Sequence, residues 1–245
     1  MVRRWFIALL LPVLVAAPAR GAEELFQPVS MRDIEQHGSR FYLAGIMGAS
    51  FATLTATEVP LAVPSATGPL FTSGGAAGIA FEMFDVGWRI EVEGRARDPL
   101  GETRTLADGI STSTIGASGG WSTTVNLWRD YDLTDRLGAY VGGGIGGGGY
   151  RLAATQDYPV QNVTVAGLGT VGGFAWQAGG GLAYDLTERI TLDLGYRFFA
   201  LSSGSVSAEA VQSGIPLGTQ TFSSGFSASE LFFAFRIHDP FRGRR

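Results

Sequence analysis

The chain has 245 residues, of which 36 are glycine, and it combines 45% hydrophobic with only 16% charged residues at a formal net charge of −4. It contains no cysteine, and all 18 basic residues are arginine. Disulfide scaffolds, thiol chemistry and lysine-dependent catalysis or phosphate binding are therefore excluded. Because the chain is acidic and has no basic runs, we expect no nucleic acid among its partners.

The first 22 residues have the order of a secretory signal peptide. Two arginines precede an apolar run over residues 5–17, which is too short for a comfortable membrane-spanning helix, and small residues follow it. We predict cleavage between Ala19 and Ala22, which leaves a periplasmic N-terminal segment over residues 23–39. No later stretch approaches the ~20 consecutive apolar residues of a transmembrane helix, so a helical membrane protein is not expected.

From residue 40 onward, the sequence alternates between apolar and small or polar residues in eight segments, which is the pattern of β-strands. In the clearest segment, Trp88, Ile90 and Val92 alternate with charged residues. The predicted strands cover residues 40–52, 75–83, 88–95, 120–128, 137–147, 173–184, 190–200 and 227–237.

The links between these segments alternate between short and long, so that long and short links lie on opposite rims. This is the outer-membrane pattern of short periplasmic turns and longer extracellular loops. We predict an all-β fold, an eight-stranded antiparallel up-and-down transmembrane barrel over residues 40–237, with a periplasmic tail over residues 238–245. The mature prolines, Pro69 and Pro216 among them, are expected outside the strands, because a closed sheet offers no free edge.

The alternation defines two faces of the predicted sheet but does not show which of them faces the inside of the barrel. A soluble barrel of the lipocalin kind would place its aromatic face inward. We favour the opposite orientation, because the polar face carries many glycines, which suit a narrow lumen. The apolar face carries Trp88, Trp176, Tyr184 and Tyr196, several of them near strand ends, as interfacial aromatic girdles would be.

Several of these segments together resemble one protein family. The matching stretches cover residues 41–51, 88–93, 139–145, 192–198 and 230–236. In their order they resemble the outer-membrane β-barrel family that includes the opacity-type surface antigens and the membrane domain of OmpA-like proteins.

The resemblance implies a porin-like small barrel and surface antigen of the Gram-negative cell outer membrane, with a role in envelope structure, adhesion or immune contact. Some members of the family also let small solutes leak across the membrane, which the resemblance leaves as a further expectation. Its partners would be outer-membrane lipid and lipopolysaccharide, the barrel assembly machinery, and host or surface ligands bound through the long loops. Two features depart from the family. A basic tail over residues 242–245 follows Phe241, where such barrels commonly finish on an aromatic residue, and no peptidoglycan-binding domain follows.

Motifs that could carry chemistry have simpler explanations. Gly142, Gly144 and Gly147 match the spacing of a dinucleotide-binding motif, but no helical pattern follows them, so we expect no cofactor and no metal. A barrel enzyme acting on lipid A is an alternative. However, His37 and His238 both lie at the predicted periplasmic rim, away from lipid A head groups, and we therefore expect no enzymatic activity.

The glycine-bearing face also carries charges that would meet inside a closed barrel. An eight-stranded barrel is just wide enough to be filled by side chains, so we predict that these charges pair in a plug. A narrow porin-like channel for small solutes is the alternative. The predicted lumen charge network consists of Glu82, Arg89, Glu91, Glu93, Arg95, Asp193, Arg197, Glu230 and Arg236.

Overall fold

A computed structural model describes residues 39–58, 65–84 and 86–240. These residues form nine antiparallel strands and no helix long and apolar enough to cross a membrane. The strands are β1 (Ser39–Glu58), β2 (Ala66–Glu82), β3 (Gly87–Arg97), β4 (Leu100–Thr105), β5 (Thr112–Asp132), β6 (Leu137–Tyr158), β7 (Val163–Thr187), β8 (Ile190–Gln212) and β9 (Ile215–His238).

The strands close into a ring. Their order is β3-β2-β1-β9-β8-β7-β6-β5-β4, and a further β3–β5 pairing joins the two ends. Strand β3 pairs with residues 120–130 of β5, and β4 pairs with residues 112–117 of the same strand. Strands β3 and β4 thus follow one another along β5, separated by Asp98 and Pro99. The predicted count of eight strands is not confirmed, because this interruption divides the third position of the ring in two.

Apart from Asp98 and Pro99, which link β3 to β4 within the wall, the strand connections that the structure describes in full lie at one of two ends of the ring. The connections over residues 133–136 and 188–189 lie at the end where β1 begins and where β2 and β9 finish, which we call the turn end. The connections after β4, β6 and β8 lie at the opposite end, which we call the hairpin end. The predicted signal peptide, the N-terminal segment up to residue 38 and the tail beyond residue 240 lie outside the described residues.

Most strands are about twice as long as predicted. Strands β5 to β9 contain 21 to 25 residues each, and they occupy most of the stretches that the sequence had indicated as long loops. The described hairpin connections shrink to residues 106–111, 159–162 and 213–214. In the first of these, Asp108 accepts hydrogen bonds from the Ser111 hydroxyl and from the backbone N–H groups of Ile110 and Ser111, which lower its pKa.

The expectation that prolines avoid the strands is wrong in two places. Pro69 lies in β2 and Pro216 in β9. The last β2–β3 pair is Thr72 with Arg97, and β2 and β4 do not pair, so β2 has an unpaired edge at Pro69 where proline is tolerated. Pro216 lies one residue into β9, opposite Val211, where the register shifts.

The two ends of the barrel have opposite polarity. In the turn-end half, large apolar side chains such as Leu127, Ile145, Leu194 and Phe233 face outward and remain exposed. In the hairpin-end half, the outward positions are rich in serine and threonine, and Thr53 and Thr67 approach each other there at 3.5 Å. We call the outward apolar zone the apolar belt and the remainder the hairpin half. The predicted outward-facing apolar surface is confirmed for the belt, which is contrary to a soluble lipocalin-like barrel.

Candidate functional site

The barrel interior is the candidate site, because it collects the charged side chains that the alternating pattern placed on one face. Glu230 of β9 lies near its centre and is 0% exposed. Its Oε2 accepts a hydrogen bond from Arg95 Nη2 at 3.0 Å, and its Oε1 accepts one from Arg97 Nε at 3.1 Å. Both arginines belong to β3, more than 130 residues away in sequence. One carboxylate therefore ties the wall formed by β9 to the wall formed by β3.

A second cluster joins β3 to β7 and β8. Arg197 Nη1 donates to both carboxylate oxygens of Glu93, at 2.6 and 2.7 Å, and also to Gln177 Oε1 at 3.1 Å. Gln177 Nε2 in turn donates to Asn126 Oδ1 at 2.7 Å. The buried guanidinium is thus charge-paired and hydrogen-bonded, which is the condition under which a buried charge is tolerated.

Glu91 is held by neutral donors. Its carboxylate accepts hydrogen bonds from Tyr42 Oη at 2.7 Å, Trp128 Nε1 at 2.8 Å and Asn126 Nδ2 at 3.0 Å. Strands β1, β3 and β5 contribute to this contact, and Tyr42 reaches it past the intervening β2. The alternating pattern placed Glu91 inside the barrel but did not identify these neutral partners.

Two further ion pairs lie nearer the turn end. Arg236 pairs with Asp193, and Arg89 Nε pairs with Asp130 at 2.8 Å. Sequence reasoning missed Asp130 and Arg97, because the predicted strands ended before them. The same alternation reaches both residues once β5 is extended to Asp132 and β3 to Arg97.

The structure brings together eight of the nine predicted charges. The exception is Glu82, which is half-buried at the turn end of β2 and forms no ion pair in the part of the chain that the structure describes. With Asp130 and Arg97 added, five arginines and five carboxylates balance each other inside the barrel. This lumen network consists of Arg89, Glu91, Glu93, Arg95, Arg97, Asp130, Asp193, Arg197, Glu230 and Arg236.

Glycine provides the space for these long side chains. A Cβ atom at Gly144 would lie 1.8 Å from Asn126 Oδ1, and one at Gly195 would lie 2.4 Å from the Phe232 ring. Neither distance is compatible with a larger residue unless its neighbours move. Of the three glycines that match the spacing of a cofactor motif, Gly142 and Gly144 are therefore explained by packing, since a Cβ atom at Gly142 would lie 2.8 Å from the Trp128 ring.

An apolar core occupies the interior of the hairpin half. Its fully buried members include Leu54, Ile115, Leu152 and Phe222. The core meets the lumen network where the Arg97 guanidinium stacks 3.9 Å above the Phe199 ring. The interior is therefore charged within the apolar belt and apolar within the hairpin half, which inverts the polarity of the outer surface.

The turn end of the barrel interior is open. There a cavity of about 1110 Å³ opens and reaches Arg89, Arg236 and His238. Beside the apolar core, the space between Tyr150 and Phe226 measures about 20 Å³, which is room for one water molecule. His238 Nε2 lies 3.2 Å from Thr191 Oγ1, and His37 lies outside the described residues. Among the described residues, no group of histidine and acidic side chains is placed to hold a metal ion.

The profile of the outer membrane protein beta-barrel domain matches residues 6–229. No curated protein matches the chain. Among solved structures, Neisserial surface protein A is 16% identical with a TM-score of 0.38, and the match covers 82% of this chain and 99% of that one.

Two other small membrane proteins are similar to a comparable extent. OprG of Pseudomonas aeruginosa is 14% identical with a TM-score of 0.39, and the match covers 82% of this chain and 96% of that one. Ail, the attachment invasion locus protein of Yersinia pestis, is 10% identical with a TM-score of 0.31, covering 78% of this chain and 97% of that one.

Proposed function

The chain belongs to the outer membrane protein beta-barrel domain family, and we propose that it is a closed surface barrel of the bacterial outer membrane with a structural or adhesive role. It conducts no solute and catalyses no reaction. The family implies the bacterial outer membrane as its location.

The burial of Glu230 carries this proposal. A conducting lumen would leave this carboxylate in contact with water, whereas it is 0% exposed and is held by Arg95 and Arg97. The apolar core lies directly beyond it towards the hairpin end. An ion that entered from the turn-end cavity would have to separate these pairs and then cross an apolar layer, both of which are costly.

The orientation follows from the polarity of the outer surface. The serine- and threonine-rich hairpin half suits water and the sugar layer, and the short turns suit the periplasm. The hairpin half would then stand outside the cell and present its tips to lipopolysaccharide, to host molecules or to other surface ligands.

The hairpin tips offer a defined contact surface. Asn162 Nδ2 donates to Ser213 Oγ at 2.8 Å, which joins the tip of β6–β7 to that of β8–β9. Beside this contact, Val160 and Ile215 expose most of their side chains. Apolar side chains held on a rigid, hydrogen-bonded tip are typical of a binding surface, since little ordering is required on contact.

The proposal is tested by measuring conductance and adhesion with the purified chain and with cells that express it. We expect no conductance steps in planar bilayers, and we expect cell attachment to fall when Val160 and Ile215 are both replaced by serine. Replacing Thr221 by alanine on the outward wall is the matched control and should leave attachment unchanged. Steady conductance of the unaltered chain would overturn the closed-barrel proposal.

A narrow channel is the second candidate, and the turn-end cavity favours it, because the interior is open at that end as far as Arg89 and Arg236. If the chain conducts, Glu230→Gln should alter its ion selectivity. If the barrel is closed, the same substitution should lower the free energy of unfolding, and no ion conductance should be measured.

A further inference from the structure

Two arginines of the barrel wall differ from all the others. Nine arginines lie in the described strands, and seven of them form an ion pair with a carboxylate. Arg129 of β5 and Arg151 of β6 have no ion-pair partner among the described residues. Both side chains are exposed on the outer face of the barrel. Two guanidinium groups thus point away from the protein with their donors unused.

Arg129 is held between aromatic rings at the turn end of the apolar belt. Its guanidinium carbon lies 4.8 Å from the Tyr131 ring centroid and 6.0 Å from that of Trp88. The next outward residue towards the belt is Leu127, which is exposed to the surrounding phase. These cation–π contacts hold the guanidinium group beside the rings, and none of its N–H groups has a hydrogen-bond acceptor among the described residues.

Arg151 occupies the corresponding place at the opposite rim of the belt. Its backbone neighbours are Ser118 on β5 and Thr170 on β7, both with exposed side chains. Trp121, which is 52% exposed, lies just below on the belt side and pairs with Gly149. An outward arginine here lies among hydroxyl groups on one side and an interfacial tryptophan on the other.

The separation of the two arginines matches the thickness of the lipid that the barrel spans. Arg129 and the register partner of Arg151, Ser118, are about ten residues apart along β5 once the bulge is discounted. At ~3.3 Å per residue and a tilt of ~40°, that distance corresponds to a height of about 25 Å. This is the height of the apolar band of such barrels, so each arginine lies at one lipid headgroup level.

We propose that Arg129 and Arg151 bind lipid phosphate groups, one in each leaflet. Arg129, oriented by Trp88 and Tyr131, takes the phosphate of a glycerophospholipid in the periplasmic leaflet. Arg151, beside Ser118, takes a phosphate of lipid A in the outer leaflet. The planar fork of donors on arginine matches two phosphate oxygens, and phosphate is the acceptor that both interfaces supply.

Native mass spectrometry of the folded chain in detergent tests this proposal with three probes: phosphatidylglycerol, purified lipid A, and a diacylglycerol without phosphate. Arg129→Gln should weaken phosphatidylglycerol binding about tenfold, and Arg151→Gln should weaken lipid A binding to the same extent, as expected when a charge-assisted hydrogen bond is lost. Neither variant should change diacylglycerol binding. Arg129→Lys keeps the charge but not the planar fork of donors. Its affinity for phosphatidylglycerol should lie between that of the unaltered chain and that of Arg129→Gln.

Arg136→Gln, in the exposed turn after β5, is the matched control for the loss of one positive charge and should leave all three affinities unchanged. The migration of unheated protein on gels establishes that each variant is folded. Equal binding of phosphorylated lipids by both variants and the unaltered chain would overturn the proposal. The proposal would also be overturned if diacylglycerol binding fell as much as the binding of the phosphorylated lipids. The same holds if Arg129→Gln weakened lipid A binding and Arg151→Gln weakened phosphatidylglycerol binding.

Discussion

Arg197 and Glu93 connect opposite walls of the barrel: Arg197 Nη1 lies 2.6 and 2.7 Å from the two carboxylate oxygens of Glu93. In the ring, β3 and β8 are four positions apart in either direction. This contact therefore spans the lumen at its full width, whereas backbone pairing joins only adjacent strands.

We expect Arg197→Ala to destabilise the barrel by roughly 3–5 kcal/mol, because the buried carboxylate of Glu93 would lose its hydrogen-bonded charge partner and keep only the longer ion pair to Arg95 at 3.8 Å. The free energy of unfolding in lipid vesicles, followed by tryptophan fluorescence in urea, measures this loss. The double variant Glu93→Gln with Arg197→Met should recover part of it, since no charge is then left unpaired. A double variant less stable than Arg197→Ala would contradict this account.

Arg89→Ala should cost less than Arg197→Ala. Its partner Asp130 keeps 20% of its side chain exposed to the turn-end cavity, so water can partly solvate the carboxylate that remains. We expect a loss of about 1–3 kcal/mol in the same unfolding measurement. Equal losses for both arginine variants would mean that water reaches the centre of the lumen as readily as its rim.

Phe233→Arg should hinder membrane insertion by about 2–4 kcal/mol, because this side chain lies in the middle of the apolar belt. Ile237→Arg, on the same face of β9 but at the turn end, should cost only about 0–1 kcal/mol. The fraction of folded protein on unheated gels measures the membrane insertion of both variants. Equal folding yields of the two variants would place the centre of the membrane elsewhere on the barrel.

Phe222→Ala should loosen the hairpin half without unfolding the apolar belt. Phe222 is fully buried in the apolar core, and deletion of such a ring costs about 3–5 kcal/mol. Hydrogen exchange should therefore quicken in the hairpin half, while the gel shift of the folded barrel persists. Thr221→Ala, the next residue on the outward face, is the control and should leave exchange unchanged.

Protease added to intact cells should cut only at the hairpin tips. A cleavage sequence placed at Asp108 should be cut, because that loop is exposed, whereas one placed at Asp157 should resist, because Asp157 pairs with Thr112 and Thr164 in the sheet. Cleavage confined to residues 188–189 would reverse the proposed orientation.

The sequence by itself determined the alternation of two faces, the antiparallel order of the strands and eight of the ten charges of the lumen network. These follow from local periodicity, since side chains in a strand point alternately to its two sides. Within the belt it also gave the correct outward face, because clustered charges and glycines favour a narrow lumen.

Only the tertiary structure decided what happens beyond the belt. In β6 the apolar set moves from Val141 and Ile145, which face outward, to Leu152 and Ala154, which face inward. Lipid and a protein core are both apolar, so the same alternation suits either. In the sequence, this switch of the apolar residues from one face to the other resembles the end of a strand. The closed ring shows instead that the strand continues and that its surroundings change from lipid to water.

The partners within the lumen were equally beyond local reasoning. Arg97 reaches Glu230 across 133 residues, and the sequence pattern had placed Arg97 in a loop. Charge balance could predict that an inward carboxylate needs a cation, but which arginine supplies it depends on the register of strands distant in sequence. That register is fixed by closure of the whole ring.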